Sequence, residues 1–450
     1  MDLMGTFSRM VYQPLLYRRR GLDVGSWERH FAKVEEMTAD ALSAHRENRI
    51  VQMLCYAHKY VPYYRQLLQE ICDGNPERLC AAHLFRLPIL TKDLVRAENS
   101  RLLSADKTLR DVCRNMTGGS TGTPLVFYQD GDYRAAALGA ERRILKWLGI
   151  SAGDRTTAFW GADRELKEQT PRERLMTWLE RVNTFDSFSM SEQKMHEFAA
   201  LLMRWKPVYI KGYASSLHLF SRFLLENREC SIRPVAIRST AETLFEFQRA
   251  DIERAFGCKV FNFYGSREIN NLAAECKMQN GLHILEGARV VEVVDVKGAP
   301  VAAGEVGRIV VTDLVNRAMP FLRYENGDLG AVSEAACPCG LPYRRIEKIL
   351  GRVSDILVGL DGQYVHGEFV THLFYGNPCV KSFQVVQHDL HNIEILVQAT
   401  DAAPPDLTQV KERIRARLGD VAITTTFTDG FSRNSSGKHR FVVSKVSPFG

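Results

Sequence analysis

The sequence predicts an α/β fold, with a large N-terminal domain of parallel-rich sheets flanked by helices plus a β-rich subdomain, and a small mobile C-terminal α+β domain. Two observations lead to this prediction. Helical and short apolar strand segments alternate between residues 189 and 264, and the texture becomes β beyond Gly281. Alternating β and α segments are typical of a parallel sheet covered by helices on both faces.

Periodic apolar positions predict the helices of the first part of the chain at residues 27–42, 49–68 and 132–148, the last one stopping at Gly149. The alternating part then reads as strand 208–213, a helix from residue 215, strand 235–240, helix 246–256 and strand 259–264. This order places consecutive strands in parallel, each followed by a covering helix.

The β-rich part is predicted from strands 288–296 and 307–313, and the C-terminal part from strands 382–387, 392–398 and 423–427 with a helix at 406–418. Between them, residues 351–355 read Gly-Arg-Val-Ser-Asp and form a plausible hinge. We therefore expect a domain of residues 1–351 and a second one of residues 352–450. A chain of 450 residues is long enough for more than one core.

The composition argues against a nucleic-acid-binding, a membrane-spanning or a disulfide-rich protein. The chain is 45% hydrophobic and 25% charged, and its net charge of +6 is scattered rather than gathered in a stripe, so nucleic acid is not an expected partner. The absence of a run of 18 apolar residues predicts no transmembrane segment. Arg18, Arg19 and Arg20 follow short apolar pieces, which suits either a membrane-surface contact or a plain exposed helix. Ten irregularly spaced cysteines indicate a reduced, cytoplasmic protein.

A glycine-rich segment, residues 115–124, is the most informative stretch. Closely spaced glycines allow a tight loop, and successive N–H groups in such a loop form an anion-binding nest for which phosphate is the natural guest. The segment is not a Walker A loop, and composition alone leaves a flexible surface turn open. The candidate phosphate-binding residues are Thr117, Gly118, Gly119, Ser120, Thr121 and Gly122.

This loop resembles the signature loop of the adenylate-forming superfamily, which includes acyl-CoA synthetases, peptide-synthetase adenylation domains and luciferases. The family commonly has a lysine after the proline, where this chain has Leu125. That departure is frequent in the phenylacetate–CoA ligase-like branch. Residues 356–366 and 383–387 look closest to members of this branch from polysaccharide or natural-product gene clusters.

Further blocks follow in the family's order, and the resemblance implies their roles. Tyr264, Gly265 and Ser266 would lie at the adenine, and Glu268 would hold Mg²⁺ beside the α-phosphate, which suits a hard oxygen ligand. Asp328 would bind the ribose hydroxyls of ATP or AMP. The segment Ala241, Glu242 and Thr243 would border the acyl and adenine pockets.

The hinge and the C-terminal loop complete the set of blocks. The resemblance implies that Arg352 approaches the nucleotide, that Asp355 is the pivot, and that Lys438 bridges the substrate carboxylate and the α-phosphate as a catalytic residue. A lysine point charge suits a transition state that spreads negative charge over phosphate oxygens.

Cys276, His283, Cys337 and Cys339 are candidate ligands of a structural Zn²⁺ ion. Thiolates and imidazole are its usual donors. The spacing is not that of a standard zinc finger. By itself it is also compatible with four separate residues that bind no metal. The phenylacetate–CoA ligase-like branch, however, carries a comparable set in members that bind structural zinc.

The function implied is ATP-dependent activation of a carboxylic acid, followed by transfer to coenzyme A. Phe159, Trp160, Tyr213 and Ala214 would line an aromatic acyl pocket, favouring an aryl or arylacetic acid. An amide or ester made on an amine or sugar acceptor is the alternative. A non-catalytic assembly partner and a metal-dependent hydrolase using the Cys/His set are further alternatives. The expected partners are these small molecules, and a homodimer is also expected.

Overall fold

The protein is described from a computed structural model that covers residues 2–117, 125–160, 170–187, 190–227, 232–352, 356–361, 364–374, 377–400, 405–431 and 440–446. Its helices in chain order are α1 Leu3–Phe7, α2 Gln13–Arg19, α3 Val24–Glu35, α4 Ala39–Tyr60, α5 Pro62–Ile71, α6 Lys92–Ala97, α7 Asn99–Leu102, α8 Gly131–Trp147, α9 Pro171–Glu180, α10 Glu192–Trp205, α11 Ala214–Glu226, α12 Glu246–Phe256, α13 Gly367–Phe374 and α14 Thr408–Leu418. A π-helical turn, Ser8–Tyr12, joins α1 to α2, and 3₁₀ turns lie at Pro76–Arg78 and Ala81–Arg86.

The strands are β1 Cys113–Met116, β2 Val126–Gln129, β3 Thr156–Trp160, β4 Val182–Asp186, β5 Tyr209–Tyr213, β6 Ala236–Thr240, β7 Val260–Tyr264, β8 Ala273–Glu275, β9 Leu282–Ile284, β10 Arg289–Val294, β11 Gly307–Asp313, β12 Tyr324–Ser333, β13 Arg345–Arg352, β14 Ile356–Val358, β15 Tyr364–His366, β16 Val380–Gln387, β17 Asn392–Ala399, β18 Ala422–Phe427 and β19 Val442–Ser444.

One 11-stranded sheet forms the centre of the described structure, in the order β10-β11-β12-β13-β9-β8-β7-β6-β5-β3-β4. Strands β4, β3, β5, β6 and β7 pair in parallel, and the remaining strands pair antiparallel. The α/β prediction is confirmed. The predicted β-rich subdomain is the antiparallel half of this same sheet, continuous with the parallel half through β7 and β8.

Helices cover both faces of the parallel half, as its apolar strands require. On one face, Ile210 and Ile237 join a core with residues of α10, α11 and α12. On the other, Tyr209 and Phe261 join a core with residues of α3 and α8. The alternation of neighbouring strand residues between two cores explains why these strands are apolar throughout.

The C-terminal part has its own sheet, in the order β18-β17-β16-β19, and its own hydrophobic core. Helix α14 packs there through Val410, Ile414 and Leu418. A small α+β unit is thus present where the sequence predicted one. It meets the large sheet's helices at Phe441, whose ring centroid lies 6.3 Å from that of Phe245.

Two predicted helices were wrong in their extent. The helix predicted at 27–42 is broken after Glu35, and α4 restarts with Thr38 as its N-cap, whose hydroxyl accepts from the Ala41 N–H. The helix predicted at 49–68 ends at Tyr60, because Pro62 begins α5 and Val61 before it is extended. No helix among the described residues combines the length and the apolar character needed to cross a bilayer.

The close crossing of α3 and α8 generates a stability prediction. A Cβ atom on Gly139 would lie 2.8 Å from the Trp27 Cβ and 2.9 Å from the Glu28 N. Gly139→Ala should therefore force the helices apart and lower the free energy of unfolding by about 1–3 kcal/mol, measured by urea denaturation. The control is Gly430→Ala, because nothing lies within 4 Å of its added Cβ. Equal midpoints for the two variants would contradict the close crossing.

Candidate active site and metal cluster

The carboxyl ends of the parallel strands define the candidate active site. Strands β3, β5, β6 and β7 run parallel, so their last residues, Trp160, Tyr213, Thr240 and Tyr264, reach the same edge of the sheet. The chain goes outward from β3 to β4 and then returns to place β5 on the other side of β3. Ligands of open α/β sheets bind at the carboxyl ends of strands, at such a reversal of strand order.

Two aromatic rings meet at this reversal. The rings of Trp160 and Tyr213 are stacked, with centroids 4.6 Å apart and an interplanar angle of 18°. Phe159 is fully buried and packs against Phe185 and Phe198 in the core instead. Of the four residues predicted for an acyl pocket, the structure brings Trp160 and Tyr213 together at the edge and places Phe159 and Ala214 in the core.

Tyr264, Asn326 and Asp328 form a hydrogen-bonded group beside the end of β7. The Tyr264 hydroxyl donates to Asp328 Oδ2 at 2.7 Å and accepts from the Asn326 side-chain amide. Asn326 Nδ2 also donates to Asp328 Oδ2 at 3.1 Å, and the Asp328 N–H donates back to Asn326 Oδ1. These bonds fix the Asp328 carboxylate through Oδ2.

Glu268 is held by a buried tyrosine. The Tyr324 hydroxyl donates to Glu268 Oε1 at 2.8 Å, with Glu268 6% and Tyr324 0% exposed. The turn before it depends on Gly265, because an added Cβ would lie 2.9 Å from the Asn271 N. Ser266 closes the turn by accepting from the Ile269 N–H through its hydroxyl. The turn thus sets the position of Glu268, and Tyr324 sets its orientation.

The register of β12 and β13 brings two predicted nucleotide residues together. Asp328 on β12 stands directly opposite Arg352 on β13. The two belong to successive motifs and become direct neighbours through one antiparallel pairing. The side chain of Arg352 lies outside the described part of the structure.

A β hairpin frames the predicted phosphate loop. Strands β1 and β2 pair antiparallel, and beyond Met116 the Thr117 N–H donates to the Leu125 carbonyl at 3.0 Å. The Thr117 hydroxyl accepts from the Leu125 N–H at 2.9 Å. Leu125, which replaces the family's common lysine, is fully buried in the core. Its side chain anchors the hairpin and is not available to a ligand.

The hairpin is attached to the segment of Glu268. Arg267 Nη1 donates to the Met116 carbonyl at 3.2 Å, and the Gln129 side-chain amide donates to the carbonyls of Arg267 and Glu268. Asn115 in turn donates to Gln129 Oε1 at 2.7 Å. The base of the loop and the backbone of Arg267 and Glu268 therefore form one hydrogen-bonded unit.

Residues 241–243 follow β6 at the same edge. Ala241 adopts a φ of +68°, a left-handed conformation that is rare for a residue with a side chain and often marks a functional turn. Glu242 Oε2 accepts from the Ser215 N–H at 2.8 Å, in the first turn of α11. The carboxylate of Glu242 thus stabilises a helix N-terminus.

The predicted metal residues come together in space. Among the described residues, Cys276, His283, Cys337 and Cys339 form the one group that could hold a metal, with all four ligand atoms within 4.8 Å of one another. Cys276 Sγ lies 3.8 Å from Cys337 Sγ, and Cys339 Sγ lies 3.3 Å from His283 Nε2. A tetrahedron with metal–sulfur bonds of about 2.3 Å has edges of roughly 3.8 Å, so the group fits Zn²⁺.

The protonation of this group also suits a metal. Burial lowers the pKa of His283 to about 4, so its imidazole is neutral near pH 7 and has a lone pair to offer. Burial raises the pKa of Cys339, so binding of a cation there has to displace the thiol proton. The four residues come from the segment after β8, from β9 and from the loop between β12 and β13.

Some predicted residues lie outside the described part of the chain, namely Gly118, Gly119, Ser120, Thr121, Gly122, Asp355 and Lys438. Conversely, sequence reasoning missed Tyr324, Asn326 and Gln129. Tyr324 and Asn326 lie four and two residues before Asp328. The sequence does not show, however, which strand faces Glu268. Gln129 lies seven residues after Gly122, the last predicted residue of the loop, and no sequence signal pointed to it.

The chain was compared with known proteins. A family model described as the CapK C-terminal domain matches residues 357–445. Protein CapK of Staphylococcus aureus is 25% identical over 427 residues, covering 89% of both chains. The phenylacetate-coenzyme A ligase of Thermus thermophilus is 28% identical over 343 residues, covering 72% of this chain and 74% of the relative.

Among solved structures, the fold is similar to that of a 2-hydroxyisobutyryl-CoA ligase in its postadenylation state, with a TM-score of 0.72 and 20% identity. The match covers 92% of each chain. It therefore extends over both the large sheet and the C-terminal unit.

The buried hydrogen bond at Glu268 generates a prediction. Tyr324→Phe keeps the packing but removes the donor, so it should lower the free energy of unfolding by roughly 1–3 kcal/mol in urea denaturation. Tyr343→Phe is the matched control, because the buried Tyr343 hydroxyl has no hydrogen-bond partner within the described structure. The control should leave the stability unchanged or raise it. Equal effects of the two variants would show that the Tyr324 bond stabilises nothing.

Proposed function

Because the chain belongs to the adenylate-forming superfamily, in its phenylacetate–CoA ligase-like branch, we propose that it is an acid–CoA ligase that first makes an acyl-adenylate. In the first step a carboxylate oxygen attacks the α-phosphorus of ATP, and the bond to pyrophosphate breaks. In the second, the thiol of coenzyme A loses its proton and attacks the acyl carbonyl, and AMP leaves.

The observation that carries this proposal is the convergence of Tyr264, Asp328 and Glu268 at the carboxyl edge of the sheet. Asp328, fixed through Oδ2, offers Oδ1 to a ribose hydroxyl. Tyr264 is half-buried beside it and offers its ring to the adenine. Arg352, opposite Asp328 in the sheet, would approach the same nucleotide.

Glu268 would hold Mg²⁺ beside the α-phosphate. The Tyr324 bond engages Oε1 and fixes the carboxylate, and such a hard oxygen ligand suits Mg²⁺. When bound, the ion neutralises charge on the phosphate oxygens. The loop of residues 117–122 comes between β1 and β2 in the chain, and Gln129 of β2 is bonded to the Glu268 segment. The N–H groups of the loop would bind the β- and γ-phosphates.

Lys438 would act from the C-terminal unit, residues 352–450, on the carboxylate and the α-phosphate. Rotation of that unit about the hinge near Asp355 would then withdraw Lys438 and admit the acceptor. Such a rotation is an ordinary way of using one site for two steps. We place the reaction in the cytoplasm, which supplies ATP and keeps thiols reduced; the nine described cysteines are all free.

The acid that we propose is aryl or arylacetic. The stacked Trp160 and Tyr213 lie where the strand order reverses, and Trp160, which is less buried than Tyr213, would offer its outer face to a substrate ring. Ala241 and Thr243 would border the opposite side. A planar substrate ring is the group that stacks best on such a face.

A second candidate keeps the adenylate and changes the acceptor to an amine or a sugar, giving an amide or an ester. It is favoured by the match of residues 357–445 to the CapK C-terminal domain, because the C-terminal unit is the part that changes between the two steps. The acceptor is therefore the point to be tested.

Zinc in the Cys/His group would be structural. Four protein ligands complete a tetrahedron and leave no position for water, which opposes the hydrolase alternative. The ion would clamp β8 and β9 to the loop after β12, at the centre of the sheet.

The activity is tested by pyrophosphate release over a panel of aryl, arylacetic and aliphatic acids. We expect release with an aryl or arylacetic acid, and acyl-CoA only when coenzyme A is present. Lys438→Ala should reduce the adenylation rate about 10²–10³-fold, whereas Lys381→Ala, an exposed lysine of the same unit, should not. Equal activity of Lys438→Ala and wild type would exclude the role of Lys438.

Product analysis separates the two candidates. Rapid release of pyrophosphate without acyl-CoA, and formation of an amide or ester with amines or sugars, would favour the second one. No pyrophosphate with any acid would support the non-catalytic assembly partner instead.

The metal is tested separately. Cys276→Ser and Cys339→Ser should each lose the one equivalent of zinc that we expect by mass spectrometry of the purified metal-loaded protein. Cys379→Ser, a half-buried thiol outside the group, should retain it. Unchanged zinc in all three variants would place any metal elsewhere.

A further inference from the structure

The N-terminal helical segment, α1 through α2, turns small and polar residues to the protein and leaves its apolar side exposed. The side it turns to the protein carries Gly5, Ser8 and Gln13, which are buried. Its exposed side is apolar: Leu3 is 75%, Met10 69% and Leu15 62% exposed. A surface helix normally buries its apolar face, so this segment leaves uncovered the side that water favours least.

Polar contacts hold the segment in this orientation. The Asp2 carboxylate pairs with Arg181 Nη2 at 2.8 Å, and the Ser8 hydroxyl donates to the Leu179 carbonyl at 2.8 Å. Arg142 Nη2 donates to Gln13 Oε1 at 2.7 Å. Because these partners lie on the buried side, the segment cannot roll its apolar side inward without losing all three contacts.

The neighbouring helix α9 enlarges the apolar surface. Leu175 and Trp178 stand one turn apart on α9 and are 55% and 57% exposed. The N-terminal patch is defined by the exposed side chains Leu3, Met4, Phe7, Met10, Val11, Leu15, Leu175 and Trp178. Exposed apolar residues gathered on two elements in contact mark an interaction site.

Positive charge adjoins this patch. Arg18, Arg19 and Arg20 are exposed at the end of α2, and Arg174 is exposed on α9. Apolar residues including tryptophan and phenylalanine beside arginines are the composition of helices that lie in a membrane interface, where the rings enter the headgroup region and the cations meet anionic lipids.

We propose that the N-terminal patch binds the surface of an anionic lipid bilayer. The binding goes beyond the proposed ligase activity and does not depend on it. A second copy of the chain fits less well, because a two-fold contact would bring two sets of Arg18, Arg19 and Arg20 together. An anionic bilayer instead satisfies the apolar side and the arginines at once.

The test is sedimentation of the full-length protein with vesicles of phosphatidylcholine alone or with phosphatidylglycerol. We expect binding to the anionic vesicles that weakens as salt is raised. Met10→Ser/Leu15→Ser should weaken it at least about 10-fold, since apolar burial is lost. Arg18→Gln/Arg19→Gln/Arg20→Gln should weaken it about 100-fold at low salt, because three contacts between arginine and anionic lipid are lost.

Matched controls remove the same groups elsewhere on the surface. Val296→Ser/Leu390→Ser takes away two exposed apolar side chains, and Lys107→Gln/Lys297→Gln/Arg413→Gln takes away three exposed cations. Both should bind as wild type does, and all variants should keep the wild-type rate of pyrophosphate release with a soluble acid.

The proposal is overturned if the wild type does not bind anionic vesicles, or if Met10→Ser/Leu15→Ser binds as tightly as its control. It is also overturned if sedimentation velocity shows a wild-type dimer that this variant converts to a monomer, because the patch then covers a second copy.

Discussion

The hydrogen bond from Tyr324 to Glu268 connects the two halves of the central sheet. Glu268 follows the last parallel strand, and Tyr324 opens a strand in the antiparallel half. Because both groups are buried, neither can exchange its partner for water, and an unpaired carboxylate there would carry a large desolvation penalty. The position of Asp328, four residues after Tyr324 on the same strand, is thereby fixed relative to the parallel strand ends.

The same constraint explains why the candidate site is assembled from distant parts of the sequence. Parallel strands deliver Trp160, Tyr213 and Tyr264 to one edge, and antiparallel pairing delivers Asp328 and Arg352 to it. A metal ion held by the Cys/His group would stabilise the junction between the halves, where β8 and β9 are short and make few ladder bonds of their own.

Much of the fold could be predicted from local patterns. Helix 246–256 and strand 307–313 were predicted with the bounds that the structure has, because apolar periodicity and flanking glycines are local signals. The break at Val61 was missed because the apolar stripe continues across it and hides the effect of Pro62. The continuity of the sheet through β7 and β8 depends on long-range pairing, which no local pattern encodes.

The candidate site was predictable as a set of motifs, though not as a geometry. The sequence grouped Cys276, His283, Cys337 and Cys339, which the structure brings together. It could not distinguish Trp160, which stacks on Tyr213, from Phe159, which packs in the core, since adjacent strand residues face opposite ways. Nor could it show that Glu242 stabilises the start of α11.

The short connection after Arg352 has a kinetic consequence. Strand β13 stays hydrogen-bonded up to the residue opposite Asp328, and β14 of the C-terminal unit begins at Ile356. A link of this length spans at most about 14 Å. Whatever group the C-terminal unit presents is therefore tethered beside the crevice, at an effective concentration of the order of millimolar or more. Its encounter with a bound ligand is then limited by reorientation and is independent of protein concentration.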